Sequence, residues 1–146
     1  MLAAETDRRY KRGYVSGSFD MFHIGHLNLL RRARQRCDYL LVGVLTDELI
    51  TAGKKRRPVI PLPERMEIIR ELRCVDETDV TTPDVIPKLA AWEKYRFDAM
   101  FSGDDWLGKP GWAEEERQLN RVGADLVYFT YTRYRSTTEI IKRLQS

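Results

Sequence analysis

The chain has 146 residues, and its 25 Lys and Arg against 22 Asp and Glu leave a formal net charge of +3 at pH 7. With 42% hydrophobic and 32% charged residues it has the composition of a globular domain. A net charge this small argues against nucleic acid as a partner, although it suits a small anionic substrate. It has no apolar run long enough to span a membrane, and Cys37 and Cys74 form no CxxC pair, so we expect a cytoplasmic protein without membrane insertion, disulfide framework or zinc site.

The first predicted elements surround a turn that contains glycine. After a flexible tail at 1–9, residues 10–16 are predicted as a strand, and a helix is predicted from residue 25 or 26 to about 36. Between them, residues 17–26 read Gly-Ser-Phe-Asp-Met-Phe-His-Ile-Gly-His. A strand, a tight turn and a helix N-terminus point backbone N–H groups and the positive end of the helix dipole at an anion. This turn is therefore a candidate phosphate site.

Two histidines lie at the same turn. His23 and His26 are the only histidines of the chain. Each could donate a hydrogen bond to a phosphate, or carry positive charge toward one, as the charge on that phosphate changes during a reaction. The alternative is that both are ordinary capping or solvated residues at a helix start.

A buried strand and a basic loop come next. Residues 38–45 are nearly all apolar, which is typical of a strand buried on both faces of a parallel sheet, and they complete a right-handed βαβ unit. Residues 46–50 are predicted as a short helical turn and 52–58 as a loop with four consecutive cations. That loop is either a solvated surface segment or an arm that closes on a polyphosphate. Because it follows the carboxyl end of a strand, where ligands bind in such sheets, we favour phosphate contact by Lys54 or Lys55.

The next predicted helix contains a cation in an unfavourable place. Residues 63–72 carry apolar residues at helical spacing, with Met66, Ile69 and Leu72 on one face. Arg65 lies in the first turn, where the helix dipole disfavours positive charge. A residue that breaks a local rule in this way indicates a functional role.

Alternating strands and helices continue through the middle of the chain. A short strand is predicted through residue 80, a helix over 83–95 and a strand over 97–102, with these helix residues facing the core: Val85, Ile86, Leu89 and Trp92. Asp104 follows the last of these strands in a Gly-Asp-Asp-Trp segment. It could bind a metal, ribose hydroxyls or a base amino group, or it could cap the next helix.

The last elements contain a second candidate anion site. A helix is predicted over 112–122, a strand over 125–129 and a final helix from Ser136, whose side chain forms a capping box with Glu139. Arg133 and Arg135 precede that helix N-terminus, and together they could hold an anion. The alternation of strands and helices predicts an α/β fold, with a doubly wound, mostly parallel five-stranded sheet flanked by helices.

The motif in residues 17–26 resembles the signature of the cytidylyltransferases, which share an HxGH motif with a wider nucleotidyltransferase superfamily. Over nearly its whole length the chain resembles the bacterial glycerol-3-phosphate cytidylyltransferases, in pieces that keep the same order: 17–26, 38–40, 46–48, 73–77, 103–109 and 136–138. The resemblance implies a Rossmann-like nucleotidyltransferase domain over residues 10–146. It also implies a homodimer, with residues 73–77 at or near the subunit interface.

The resemblance implies a reaction as well. CMP would pass from CTP to a small phosphate- or phosphonate-bearing acceptor, pyrophosphate would leave, and Mg²⁺ would be bound mainly through substrate phosphates. Glycerol 3-phosphate, which would give CDP-glycerol, is the expected acceptor, with phosphocholine, phosphoethanolamine or a small alkylphosphonate as alternatives. Two other functions stay open: an adenylyltransferase that uses ATP, and a non-catalytic module that binds nucleotide for regulation.

The resemblance assigns site residues by their motif positions. The catalytic group would be His23, His26 and one of Lys54 and Lys55. The nucleotide-binding residues would be Gly17, Ser18, Phe19, Asp20, Gly25, Arg65, Asp104, Arg133, Arg135, Ser136 and Thr137. One position departs from the family pattern, since Tyr131 stands where the family has arginine, and Arg133 or Arg135 could supply the missing charge.

Overall fold

The computed structural model describes residues 9–103, 108–129 and 137–145, the last segment with side chains from residue 140. The strands are β1 (Tyr10–Gly17), β2 (Cys37–Leu45), β3 (Glu77–Thr81), β4 (Ala99–Gly103) and β5 (Asp125–Phe129). The helices are α1 (Ile24–Gln35), α2 (Asp47–Lys54), α3 (Leu62–Arg70), α4 (Lys88–Tyr95), α5 (Trp112–Arg121) and α6 (Thr137–Gln145). None of the helices in these ranges is both long and apolar enough to cross a membrane.

The five strands form one sheet in the order β3-β2-β1-β4-β5. Every neighbouring pair is parallel, and β1 pairs with β2 from Tyr10 opposite Cys37 to Gly17 opposite Val44. The predicted doubly wound sheet is confirmed, and it is wholly parallel. Because all strands run the same way, the segments that follow β1, β2, β3 and β4 leave the sheet at one edge.

A hydrophobic core covers each face of the sheet. Val15 and Val42 belong to the core that packs against α1 and α3, whereas Tyr14 and Leu41 belong to the core that packs against α4 and α5. β2 is buried on both faces, as its apolar run predicted: Leu40, Leu41, Val42 and Val44 are each 0% exposed. A rigid central pair of strands therefore supports the loops at the carboxyl edge.

One predicted helix is divided in two. Residues 83–95 form a 3-10 turn at Pro83–Val85 and then α4, which begins at Lys88 with Pro87 as its N-cap. Pro87 has no N–H group to donate into a continuous helix, so the helix restarts after it. The change in helix phase leaves Ile86 46% exposed, although the sequence pattern predicted that it faces the core.

Candidate active site

The turn between β1 and α1 has a strained backbone. Phe19 and Met21 have φ values of 52° and 49°, in the left-handed region that residues other than glycine rarely adopt. The Phe19 ring folds back over Gly17, where a Cβ atom would lie 3.1 Å from two of the ring carbons. A side chain at position 17 would push this ring away. The strain is typical of a backbone shaped for function rather than for stability.

Both histidines cap α1. His23 is the N-cap residue, and its Nδ1 accepts from the Gly25 amide at 3.0 Å. The Nδ1 of His26 accepts from the His23 amide at 3.2 Å. The two rings stack with their centroids 3.8 Å apart. Because each Nδ1 is an acceptor, each neutral ring carries its proton on Nε2, which is then the atom that donates to a ligand.

His26 is held in its neutral form. Burial lowers the pKa of its imidazole from 6.5 to about 3, helped by the nearby charges of His23 and Lys54 and opposed by Asp20. Of the two roles that the sequence left open for this residue, hydrogen-bond donation therefore fits the geometry better than a permanent positive charge.

We expect this shift to make the protein less stable in mild acid. Between pH 6.5 and 3 the unfolded chain binds a proton at His26 that the folded chain excludes, so the free energy of unfolding falls by about 1 kcal/mol per pH unit as pH decreases through this window. Urea unfolding of the wild-type protein and of His26→Asn at pH 7, 6 and 5 checks this. The variant should show the smaller decrease, and equal slopes would contradict the assignment.

The predicted basic loop begins inside a helix. Lys54 is the last residue of α2, and Lys55 follows it with a left-handed φ of 58° that ends the helix. Both side chains are exposed. The positive charge of Lys54 contributes to the lowered pKa of His26. Helix α2 thus extends beyond the short turn predicted for residues 46–50 and carries this lysine to the site.

Asp20 joins the motif to the segment after this lysine pair. Asp20 is only 1% exposed. Its two carboxylate oxygens accept from the amides of Val59 and Ile60, each at 2.9 Å. The guanidinium of Arg56 lies 3.7 Å from the same carboxylate. Whether Asp20 also contacts nucleotide, as the resemblance implies, stays a prediction.

Arg65 contacts the motif turn between β1 and α1, and its side chain is 0% exposed. Its Nε donates to the Ile60 carbonyl at 2.8 Å. One terminal nitrogen donates to the carbonyls of Ser18 and Leu45, at 2.7 and 2.8 Å, and the other donates to Asp47 at 2.6 Å. The described contacts of this guanidinium are therefore to the protein, and its predicted contact with nucleotide remains untested.

Most of the remaining predicted residues lie outside the described part of the chain. This applies to Asp104, Arg133, Arg135 and Ser136, while Thr137 is described only as the first residue of α6. Ser18 and Gly25 lie at the site through their backbone groups. Within the described ranges, no group of three or more His, Cys, Asp or Glu residues could hold a metal ion.

The structure adds two residues that the sequence analysis did not assign to the site. Asp47 joins Arg65 and also accepts from the Leu62 amide at 3.1 Å, and Arg56 approaches Asp20. The sequence position of Asp47 is one signal, because it lies two residues after the carboxyl end of a buried strand, where site residues concentrate. In the sequence, Arg56 is distinguished only as one of four consecutive cations, which does not predict its contact with Asp20.

Comparison with known proteins is consistent with this geometry. Residues 14–143 match a family model described as cytidylyltransferase-like. The chain is 32% identical over 136 residues to glycerol-3-phosphate cytidylyltransferase of Bacillus spizizenii, a match that covers 93% of this chain and 98% of that protein. It is 31% identical over 144 residues to FAD synthase of Thermococcus kodakarensis, covering 96% of this chain and 95% of that protein.

Another relative is similar over a shorter stretch. Ethanolamine-phosphate cytidylyltransferase of Arabidopsis thaliana is 43% identical over 103 residues, which are 67% of this chain and 24% of that protein. The match thus spans about a quarter of that relative's length. Among solved structures, the lipopolysaccharide core biosynthesis protein from Thermoplasma volcanium superposes with a TM-score of 0.68 at 23% identity, covering 86% of this chain and 99% of that one. This likeness supports the Rossmann-like fold.

Proposed function

The chain belongs to the cytidylyltransferase-like family, as its motifs predicted, and is a nucleotidyltransferase. We propose that it transfers CMP from CTP to a small phosphorylated acceptor and releases pyrophosphate. The observation that carries this proposal is the pair of stacked imidazoles at the N-terminus of α1. Their Nδ1 atoms accept from backbone amides, so each neutral ring carries its proton on Nε2, the tautomer that can donate to phosphate oxygens.

The proposed chemistry is one in-line displacement. An anionic oxygen of the acceptor phosphate attacks the α-phosphorus of CTP, a new P–O bond forms, and the bond to the β-phosphate oxygen breaks with pyrophosphate as leaving group. The attacking oxygen already carries negative charge, so no general base is required. Catalysis then consists of positioning the reactants and stabilising charge. His23 and His26 stabilise the α-phosphate oxygens, and Lys54 or Lys55 takes the charge of the leaving phosphates.

Mg²⁺ is proposed as the accompanying ion. The described residues offer no cluster of ligands for it, so we expect it to be bound through the triphosphate oxygens of the substrate. Bound there, it would neutralise part of the charge on the departing pyrophosphate. Arg133, Arg135, Ser136 and Thr137 are proposed to complete the phosphate site.

Glycerol 3-phosphate is the proposed acceptor. Two observations support it: glycerol-3-phosphate cytidylyltransferase matches over nearly the full length of both chains, and the Gly-Asp-Asp-Trp segment resembles that family. Ethanolamine phosphate is the alternative suggested by the relative with the higher local identity. A homodimer and a cytoplasmic location are also proposed, the second supported by Cys37 and Cys74, which are both free thiols.

Adenylyl transfer is the second candidate function. FAD synthase matches over as much of this chain as the glycerol-3-phosphate enzyme does, and the histidine geometry serves either nucleotide equally. The difference would lie in how the base is recognised and not in the phosphate chemistry.

A pyrophosphate-release assay separates these functions. With Mg²⁺ present, CTP and ATP are each offered with glycerol 3-phosphate, phosphoethanolamine, phosphocholine, a small alkylphosphonate and flavin mononucleotide. We expect release with CTP and glycerol 3-phosphate, with other pairs at least about tenfold slower, since a site built to bind one acceptor's polar groups rejects others strongly. Release with ATP and flavin mononucleotide alone would establish the second candidate. CTP binding without release from any pair would favour a regulatory module.

A further inference from the structure

Ile60 is held from both sides by the two buried charged residues of the site. Its amide donates to Asp20 at 2.9 Å, and its carbonyl accepts from Arg65 at 2.8 Å. Arg65 also donates to the carbonyl of Ser18, two residues before Asp20 in the motif. The motif turn and the chain at Val59 and Ile60 are thus joined by four hydrogen bonds through one carboxylate and one guanidinium.

We infer that Asp20 is a positioning residue, which ties the basic segment, defined as residues 54–57, to the motif turn that carries the two histidines. The basic segment is attached at one end to α2 and at the other to Asp20, through Val59 and Ile60. Arg56, inside the segment, lies 3.7 Å from the same carboxylate. Since both ends are held, the movement of Lys54 and Lys55 relative to the motif turn is restricted.

The burial of Asp20 distinguishes this role from direct nucleotide binding. The residue is 1% exposed, so a nucleotide could not reach its carboxylate unless Val59 and Ile60 moved away. A carboxylate is the suitable group here because it accepts from two adjacent amides at once, and each amide would otherwise need another acceptor. The inference rests on the proposed function for its effect on turnover, but not for the contacts themselves.

Asp20→Asn is the test variant, because asparagine has one side-chain oxygen in place of two and no charge for Arg56. Amide hydrogen exchange without nucleotide should become about tenfold faster at whichever of Val59 and Ile60 loses its acceptor oxygen, the change expected for the loss of one hydrogen bond. In the pyrophosphate assay, kcat should fall about 100-fold, as for a misplaced catalytic group, while KM for CTP changes little. A large rise in KM with kcat unchanged would instead make Asp20 a nucleotide ligand and overturn the inference.

A double-mutant cycle tests whether Asp20 acts through the lysines. In a protein that already carries Lys54→Ala and Lys55→Ala, adding Asp20→Asn should lower kcat by no more than about twofold, because the two catalytic lysines that Asp20 positions are already absent. An undiminished 100-fold loss in that background would contradict the inference. Asp125→Asn is the matched control: this carboxylate accepts from Tyr10 at 2.8 Å at the start of β5, at the opposite edge of the sheet, and its loss should leave kcat and exchange at Val59 and Ile60 unchanged.

The two readouts separate this inference from the proposed function. Unchanged exchange at Val59 and Ile60 in Asp20→Asn overturns the inference, whether or not the wild-type protein turns over CTP. Faster exchange in a protein whose wild type releases no pyrophosphate from any nucleotide contradicts the proposed function and leaves the positioning contacts in place.

Discussion

Replacing His23 with asparagine should lower turnover by about 100-fold or more and leave the stability of the protein nearly unchanged. Asparagine is among the most favourable N-cap residues, and its side-chain oxygen can accept from the Gly25 amide, as Nδ1 of His23 does at 3.0 Å. The cap of α1 is therefore kept. The group that is lost is the Nε2–H donor, which the proposed reaction uses to stabilise charge on the α-phosphate.

Glutamine at position 23 is the complementary variant. Its longer side chain places an amide N–H group near the former Nε2 position and removes the acceptor that caps the helix. Turnover should stay within about tenfold of the wild-type value, while the free energy of unfolding falls by about 1 kcal/mol, the usual effect of a lost N-cap. Steady-state kcat and urea unfolding, measured on the same preparations, give both quantities.

His26→Asn should behave like His23→Asn, because its side-chain oxygen can replace Nδ1 as the acceptor for the His23 amide. Combining the two asparagine variants should cost less than the product of the single losses, because both donors stabilise the same charge. If each asparagine variant keeps normal turnover, the histidines act only as caps and the proposed mechanism is wrong.

The sheet could be predicted because its sequence signals are local and strong. The apolar run of residues 38–45 is long enough for a strand and too uniform for a half-exposed one, and the structure buries Leu40, Leu41, Val42 and Val44 completely. The handedness of parallel crossovers then restricts how β1, α1 and β2 can be arranged. The same handedness makes the carboxyl edge, and with it the position of the motif, predictable before any contact is known.

Capping was one of the roles that the sequence left open for the histidines, but no local signal selected it. Histidine is not among the usual N-cap residues, and its use here depends on the backbone of the turn, where Phe19 and Met21 adopt left-handed φ values. Neither phenylalanine nor methionine favours such a conformation, so the sequence does not predict it. The sequence therefore placed two reactive side chains at a helix start without indicating which ring nitrogen faces the backbone, and this detail decides which nitrogen can reach a substrate.

Arg65 shows an intermediate case. Its position in the first turn of α3 conflicts with the helix dipole, which was a correct sign that other contacts stabilise it. Its partners could not be named from the sequence, because Ser18, Leu45 and Ile60 offer backbone carbonyls and belong to three separate segments. Only the folded chain brings these acceptors to one point.

Arg65→Met should therefore be the most destabilising single substitution considered, lowering the free energy of unfolding by about 3–5 kcal/mol. Methionine fills much of the same volume but removes this donor from three partly buried carbonyls and from the Asp47 carboxylate. Because Asp47 is 39% exposed, water can partly compensate for that ion pair, so most of the loss comes from the carbonyls. Arg65→Lys should lie between methionine and the wild type, since a lysine ammonium cannot span acceptors that the wider guanidinium reaches together.

Urea unfolding at pH 7 measures this loss, and Arg70→Met is the matched control. Arg70 lies on the same helix with an exposed side chain, so its replacement should change the free energy of unfolding by no more than about 0.5 kcal/mol. Together the two variants separate the burial of a guanidinium from the general effect of removing a cation from α3.

If Arg65→Met lowers the free energy of unfolding no more than Arg70→Met does, the carbonyls of Ser18, Leu45 and Ile60 find other donors, and Arg65 does not hold the site together. A loss of several kcal/mol with Arg65→Met alone would show that the motif turn, β2 and the chain before α3 depend on one buried guanidinium.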